Sequence, residues 1–106
     1  MQQIHEEQQI VDALESNDRV LLFKNSTTCP ISSAAFEELR AFDQENSTVP
    51  ILYLNVQESR ELSNYVAKEW RVKHESPQAL LINKENAEWF KSHNNITKTS
   101  LEEAVN

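Results

Sequence analysis

The 106-residue chain contains no glycine. Every turn and helix end must therefore be made by a residue carrying a Cβ. Asparagine is the usual substitute, because it tolerates positive φ. Asn17, Asn46, Asn83, Asn86, Asn94 and Asn95 all fall in turn-like places. Cysteine is almost absent as well, with Cys29 the single example. That excludes an intramolecular disulfide and a Cys-rich metal site. No apolar run approaches the length of a membrane span; the longest are Val20 to Phe23, Ile51 to Leu54 and Ala79 to Ile82. Positive charge is in deficit, with 10 Lys and Arg against 17 Asp and Glu and a formal net charge of −7. A phosphate backbone or an anionic membrane is disfavoured as the main partner, so neither nucleic acid nor membrane is expected. The first residues, MQQIHEEQQ, are polar and acidic, unlike a signal or transit peptide. The cytoplasm is the expected compartment, and a lone cysteine suits its reducing chemistry.

What is present is an ordinary globular balance, 39% hydrophobic and 25% charged. The length suits one compact domain over residues 1–106. His5 to Glu15 carries Ile10, Val11 and Leu14 at helical spacing. Val20 to Lys24 is a short apolar run between turn residues, which predicts a buried strand. Cys29 to Glu45 sets Ile31, Ala35, Leu39 and Phe42 on one helical face. Val49 to Val56 is a second buried strand. Ser59 to Trp70 is a helix with Ser59 as N-cap, and its phase puts Trp70 in the core. Gln78 to Asn83 and Ala87 to Lys91 read as a hairpin, with Asn86 at the left-handed position. Thr97 to Val105 is a last helix, with Thr99 and Glu102 spaced as a capping box.

The order α-β-α-β-α-β-β-α predicts an α/β fold. The βαβαβ portion implies parallel strands and right-handed crossovers, and the hairpin adds an antiparallel edge. A central mixed four-stranded sheet with helices on both faces follows. Met1 to Ile4 offers a short fifth strand.

Cys29 lies in the stretch NSTTCPIS, between the first core strand and the next helix. That junction is the C-terminal edge of a strand, where ligands and catalytic groups collect. Thr28 is a natural N-cap, which makes Cys29 N1 and Pro30 N2, where a missing N–H costs nothing. A thiolate there is stabilised by the helix dipole and free amides, so its pKa is expected to fall below ~8.5. The opposing reading is a buried, inert thiol. Ser76-Pro77 precedes the third strand, an unusual place for proline unless it makes a special turn. A cis peptide there would present the Ser76 backbone to a ligand; a trans proline in a connection is the plain alternative. His5, His74 and His93 lack metal-ligand spacing, so no metal is expected.

A strand, a Cys-Pro-x-Ser helix start, a proline before a hairpin and a closing helix together resemble the thioredoxin-like fold. The stretches LLFKNSTTCPIS (Leu21 to Ser32), VKHESPQALLI (Val72 to Ile82) and SHNNIT (Ser92 to Thr97) are similar to the YtxJ family, the monothiol bacilliredoxins. The resemblance spans nearly the whole chain, and the first two stretches are the specific ones. It implies removal of bacillithiol, a cysteinyl-glucosaminyl-malate thiol, from mixed disulfides on oxidised proteins. By position, Cys29 would be the nucleophile and Pro77 a cis-proline shaping the substrate groove with Ser76 and His74. Bacillithiol would be a co-substrate, with no tightly bound cofactor. Bacillithiolated proteins, and bacillithiol or a reductase for recycling, would be the partners of an expected monomer. The glycines are missing, notably at the Lys84-Glu85-Asn86 turn, which bears on turn stability more than on chemistry.

Disulfide exchange needs one thiolate. Ser32, where a second cysteine would trap the first, can hydrogen-bond the Cys29 sulfur or be a plain first-turn polar residue. Lys24, His74, Ser92 and His93 are candidate contacts to the bacillithiol carboxylates or the thiolate. Their alternatives are a solvated strand-end lysine, an exposed loop histidine and turn residues. Two rival functions stand beside exchange: a protein-binding module with an inert Cys29, and iron–sulfur handling as in monothiol glutaredoxins. Pro30 after the cysteine, where that last group has glycine, argues against the cluster.

Overall fold

A computed structural model describes residues 1–46 and 48–106. The elements are β1 (Gln2–Gln3), α1 (Glu7–Ser16), β2 (Val20–Asn25), α2 (Pro30–Glu45), β3 (Ile51–Asn55), α3 (Arg60–Glu69), β4 (Gln78–Ile82), β5 (Ala87–Ser92) and α4 (Lys98–Val105). One short 3-10 turn, His93–Asn95, joins β5 to α4. They build one five-stranded sheet in the order β1-β3-β2-β4-β5. The N-terminal residues do add the outer strand, parallel to β3 through Gln2↔Leu52 and Gln3↔Tyr53.

The strand direction differs from the sequence expectation at one place. β2 and β3 are parallel, but β4 runs antiparallel to β2. The cause is the return after α3. Trp70, at the end of that helix, donates its indole N–H to the Asn83 carbonyl beyond the end of β4. Arg71 then turns with φ 56°, and the chain climbs back along the sheet before β4 begins at Gln78.

Period-two alternation sends each strand to two cores. Val20, Leu22, Leu54, Leu80 and Ile82 pack with Ile10 and Leu14 of α1 and Leu62 and Val66 of α3. Leu21, Phe23, Ile51, Ala79 and Leu81 pack with Ala35, Leu39 and Phe42 of α2 and Leu101 of α4. Trp70 is buried as its phase predicts.

Local chemistry shifts several caps. The α4 box is Thr97 with Ser100, not Thr99 with Glu102, because the helix starts at Lys98 and only Thr97 sits at N-cap. Asn86 is not left-handed; among the described residues Arg71 and His93 alone have positive φ. The asparagines replace glycine with side-chain acceptors instead. Asn83 Oδ1 accepts from the N–H groups of Glu85 and Asn86, and Asn46 Oδ1 from that of Thr48.

Candidate active site

β2, β4 and β5 bring three chain segments to one edge of the sheet. Lys24 pairs with Gln78, and Gln78 pairs with Ser92. Cys29 therefore follows the end of β2, Pro77 immediately precedes β4, and His93 follows the end of β5. The His93 N–H donates to the Pro77 carbonyl at 3.0 Å, fastening the second and third segments together. The Ser76–Pro77 peptide is cis.

Cys29 is half-buried and is itself the N-cap of α2, with Pro30 at N1. This moves the expected cap by one residue. Thr28 is exposed, and its hydroxyl accepts from the Gln57 amide instead of capping the helix. The shift favours the chemistry. Among the described residues no side chain caps α2, so the Cys29 side chain occupies the place where a serine or aspartate oxygen normally meets the first-turn amides.

The loop before Cys29 is braced by residues that the sequence reading did not single out. Gln57, just past β3, accepts from the Thr27 N–H at 3.1 Å and donates to Ser26 Oγ at 2.8 Å and Thr28 Oγ1 at 3.2 Å. Asn25 donates to Asn55 Oδ1 at 2.8 Å. Ser32 is fully buried. Its hydroxyl gives its hydrogen to Asn25 Oδ1 at 2.8 Å and accepts from the Ser26 N–H at 2.7 Å. Of the two readings of Ser32, neither the sulfur hydrogen bond nor a plain polar residue describes it: its hydrogen goes to the loop. Ser32 also takes the inward position that helical periodicity gave to Ile31. Ile31, two residues after Cys29, is 42% exposed instead.

The candidate cations divide. Lys24 is neither a ligand contact nor a solvated strand end: it is 0% exposed. Its Nζ donates to the Ser63 carbonyl at 3.0 Å and lies 3.1 Å from His74 Nδ1. Burial lowers its pKa from 10.5 to about 8, so it is charged at neutral pH. His74 is exposed, with Nδ1 turned to this cluster. Desolvation, then the charges of Lys24 and Arg60, hold its pKa below 6.5 against the opposing Glu75. His93 has a half-exposed side chain with Nδ1 3.3 Å from Glu75 Oε2. Ser92 pairs within the sheet beside it. His74, Ser76, Pro77, Ser92 and His93 thus gather at the sheet edge from which the Cys29 loop leaves, and Lys24 is buried at the same edge.

A single half-buried cysteine capping the helix that follows a central strand, in a mixed five-stranded sheet with helices on both faces, defines a thioredoxin-fold thiol protein. Solved structures agree. A proposed oxidoreductase with a thioredoxin fold is 36% identical, with a TM-score of 0.86, covering 96% of this chain and 90% of its own. Mitochondrial thioredoxin 3 from Saccharomyces cerevisiae is 18% identical at TM-score 0.76, covering 99% and 92%. Chloroplastic thioredoxin z is 21% identical at TM-score 0.77, covering 99% and 90%. These last two share the fold. The sequence pattern of the monothiol bacilliredoxin BrxC family matches residues 2–101, and the chain belongs to that family. It is a thiol oxidoreductase at that level of description.

Proposed function

We propose that this protein removes bacillithiol from protein mixed disulfides in the cytoplasm, acting through Cys29. The observation that carries the reading is the position of the only cysteine: half-buried, at the N-cap of α2, in a chain of the monothiol bacilliredoxin family. The Cys29 thiolate attacks the bacillithiol sulfur of protein–S–S–bacillithiol. The S–S bond breaks, the client leaves as a thiolate and takes up a proton, and a Cys29–bacillithiol disulfide forms. A second bacillithiol thiolate, or a reductase thiol, then attacks that adduct and returns Cys29 to the thiolate.

The site suits this exchange. Ile31 gives the client an apolar contact, and the 73–77 loop and Ser92–His93 flank the entering disulfide. Among the described residues no helix is long and apolar enough to cross a membrane. The test is intact mass after mixing reduced protein with bacillithiol disulfide or glutathione disulfide across a pH series. A fast single adduct that prefers bacillithiol, absent in Cys29→Ala, is expected. Full transfer by Cys29→Ala ends the reading; a slow adduct without preference ends it in favour of a binding module.

A further inference from the structure

The Lys24 cluster joins three elements at the floor of the site. Lys24 ends the apolar run of β2, Ser63 lies on α3, and His74 opens the loop that leads into Pro77. An ammonium is rarely buried without a purpose-built set of acceptors. Here the acceptors are the Ser63 carbonyl and His74 Nδ1, at 3.0 and 3.1 Å. Ser63 Oγ lies 3.1 Å from the same ring nitrogen. An ammonium has three hydrogens and no lone pair, so Nδ1 can only accept from it. The ring proton then resides on Nε2, at the opposite edge of an exposed side chain. Lys24 stands across from Gln78 in the sheet, one residue after Pro77, and five residues before Cys29. Its hold on His74 therefore acts on the loop that enters β4 at the sheet edge from which the Cys29 loop leaves.

We propose that Lys24 is a positioning residue for disulfide exchange: it locks His74 as the neutral Nε2–H tautomer, so that the 73–77 loop offers substrate a fixed hydrogen-bond donor. The inference rests on the exchange reading of Cys29. The acceptor is a carboxylate or amide carbonyl on the mixed disulfide, the groups that both bacillithiol and a client backbone carry. Desolvation first, then the charges of Lys24 and Arg60, keeps His74 from taking a second proton, and Glu75 opposes them. Lys24, its pKa lowered by burial to about 8, is mainly the ammonium at neutral pH and so donates to His74 Nδ1 at 3.1 Å.

Long-range proton–nitrogen NMR of the histidine rings reads this directly in the wild-type protein. His74 is expected as the Nε2–H tautomer, titrating below the ordinary 6.5. In Lys24→Met the tautomers mix and the midpoint moves up. A wild-type ring carrying its proton on Nδ1 overturns the proposal whether or not the variant folds, as does an unchanged ring in folded Lys24→Met. The donor role is read in exchange kinetics. Loss of one hydrogen bond in His74→Leu lowers kcat/KM about fivefold, mainly through KM, while His74→Gln, which keeps an N–H, falls less. An unaltered rate in His74→Leu overturns that role. Absence of exchange in the wild type fails the reading of Cys29 instead, and the tautomer, measured without substrate, is decided separately.

Discussion

Ser32 occupies the position from which a second cysteine would close a ring with Cys29, and the structure gives its hydroxyl another task. It donates to Asn25 and accepts from the Ser26 amide, both at the end of β2 where the chain turns toward the thiol. Ser32→Ala leaves a partly buried acceptor and a partly buried donor without partners. The expected cost is about 2 kcal/mol, read as a lower urea midpoint with an unchanged slope. Exchange through Cys29 should weaken and not vanish, because the nucleophile remains while its loop loosens. A midpoint equal to the wild type would remove Ser32 from the brace. The sequence marked Ser32 as relevant through its offset from Cys29, but not the direction of its hydrogen bond. That depends on Asn25 and Ser26 folding back over the first turn of α2, which no spacing rule encodes.

At the level of helices and strands, periodicity carried far. The period of Ala35, Leu39 and Phe42 places α2 against its core, and the four-residue apolar runs become the centres of β2, β3 and β4. Direction was not readable for β4, since a strand's hydrophobic pattern is the same in either sense. The long climb from Arg71 to Pro77 decides it. Burial of Lys24 was also hidden, because a lysine after four apolar residues looks like the exposed end of a strand. Only the joining of β2, α3 and the 73–77 loop supplies its acceptors. That burial has a thermodynamic signature. The unfolded lysine titrates at 10.5 and the folded one at about 8. Between these values the unfolded chain binds more protons, so stability rises with pH through that window. From pH 7.5 to 9.5, below the range where Tyr65 ionises, the Lys24 contribution should rise by about 2 kcal/mol. Urea unfolding at the two pH values should show it in the wild type and a flatter profile in Lys24→Met. Equal slopes in the two proteins would mean that Lys24 is solvated in solution.

For the molecule as a whole, one thiol sets the accounting of electrons. In the proposed exchange bacillithiol moves onto Cys29, and the remaining 105 residues contain no second thiol to displace it. Ser32, the neighbour placed to do so, carries an alcohol whose hydrogen is already committed to Asn25. The protein should therefore stop after a single transfer unless a thiol comes from outside. Mixed with excess bacillithiolated client and no free thiol, reduced protein should release one client thiol per chain and then halt, its mass raised by one bacillithiol. Adding free bacillithiol should restart release, with bacillithiol disulfide accumulating in step. Continued release without added thiol would show that the adduct is resolved by a route other than an external thiolate. Disulfide-linked dimers appearing in place of the adduct would assign that route to the Cys29 of a second chain.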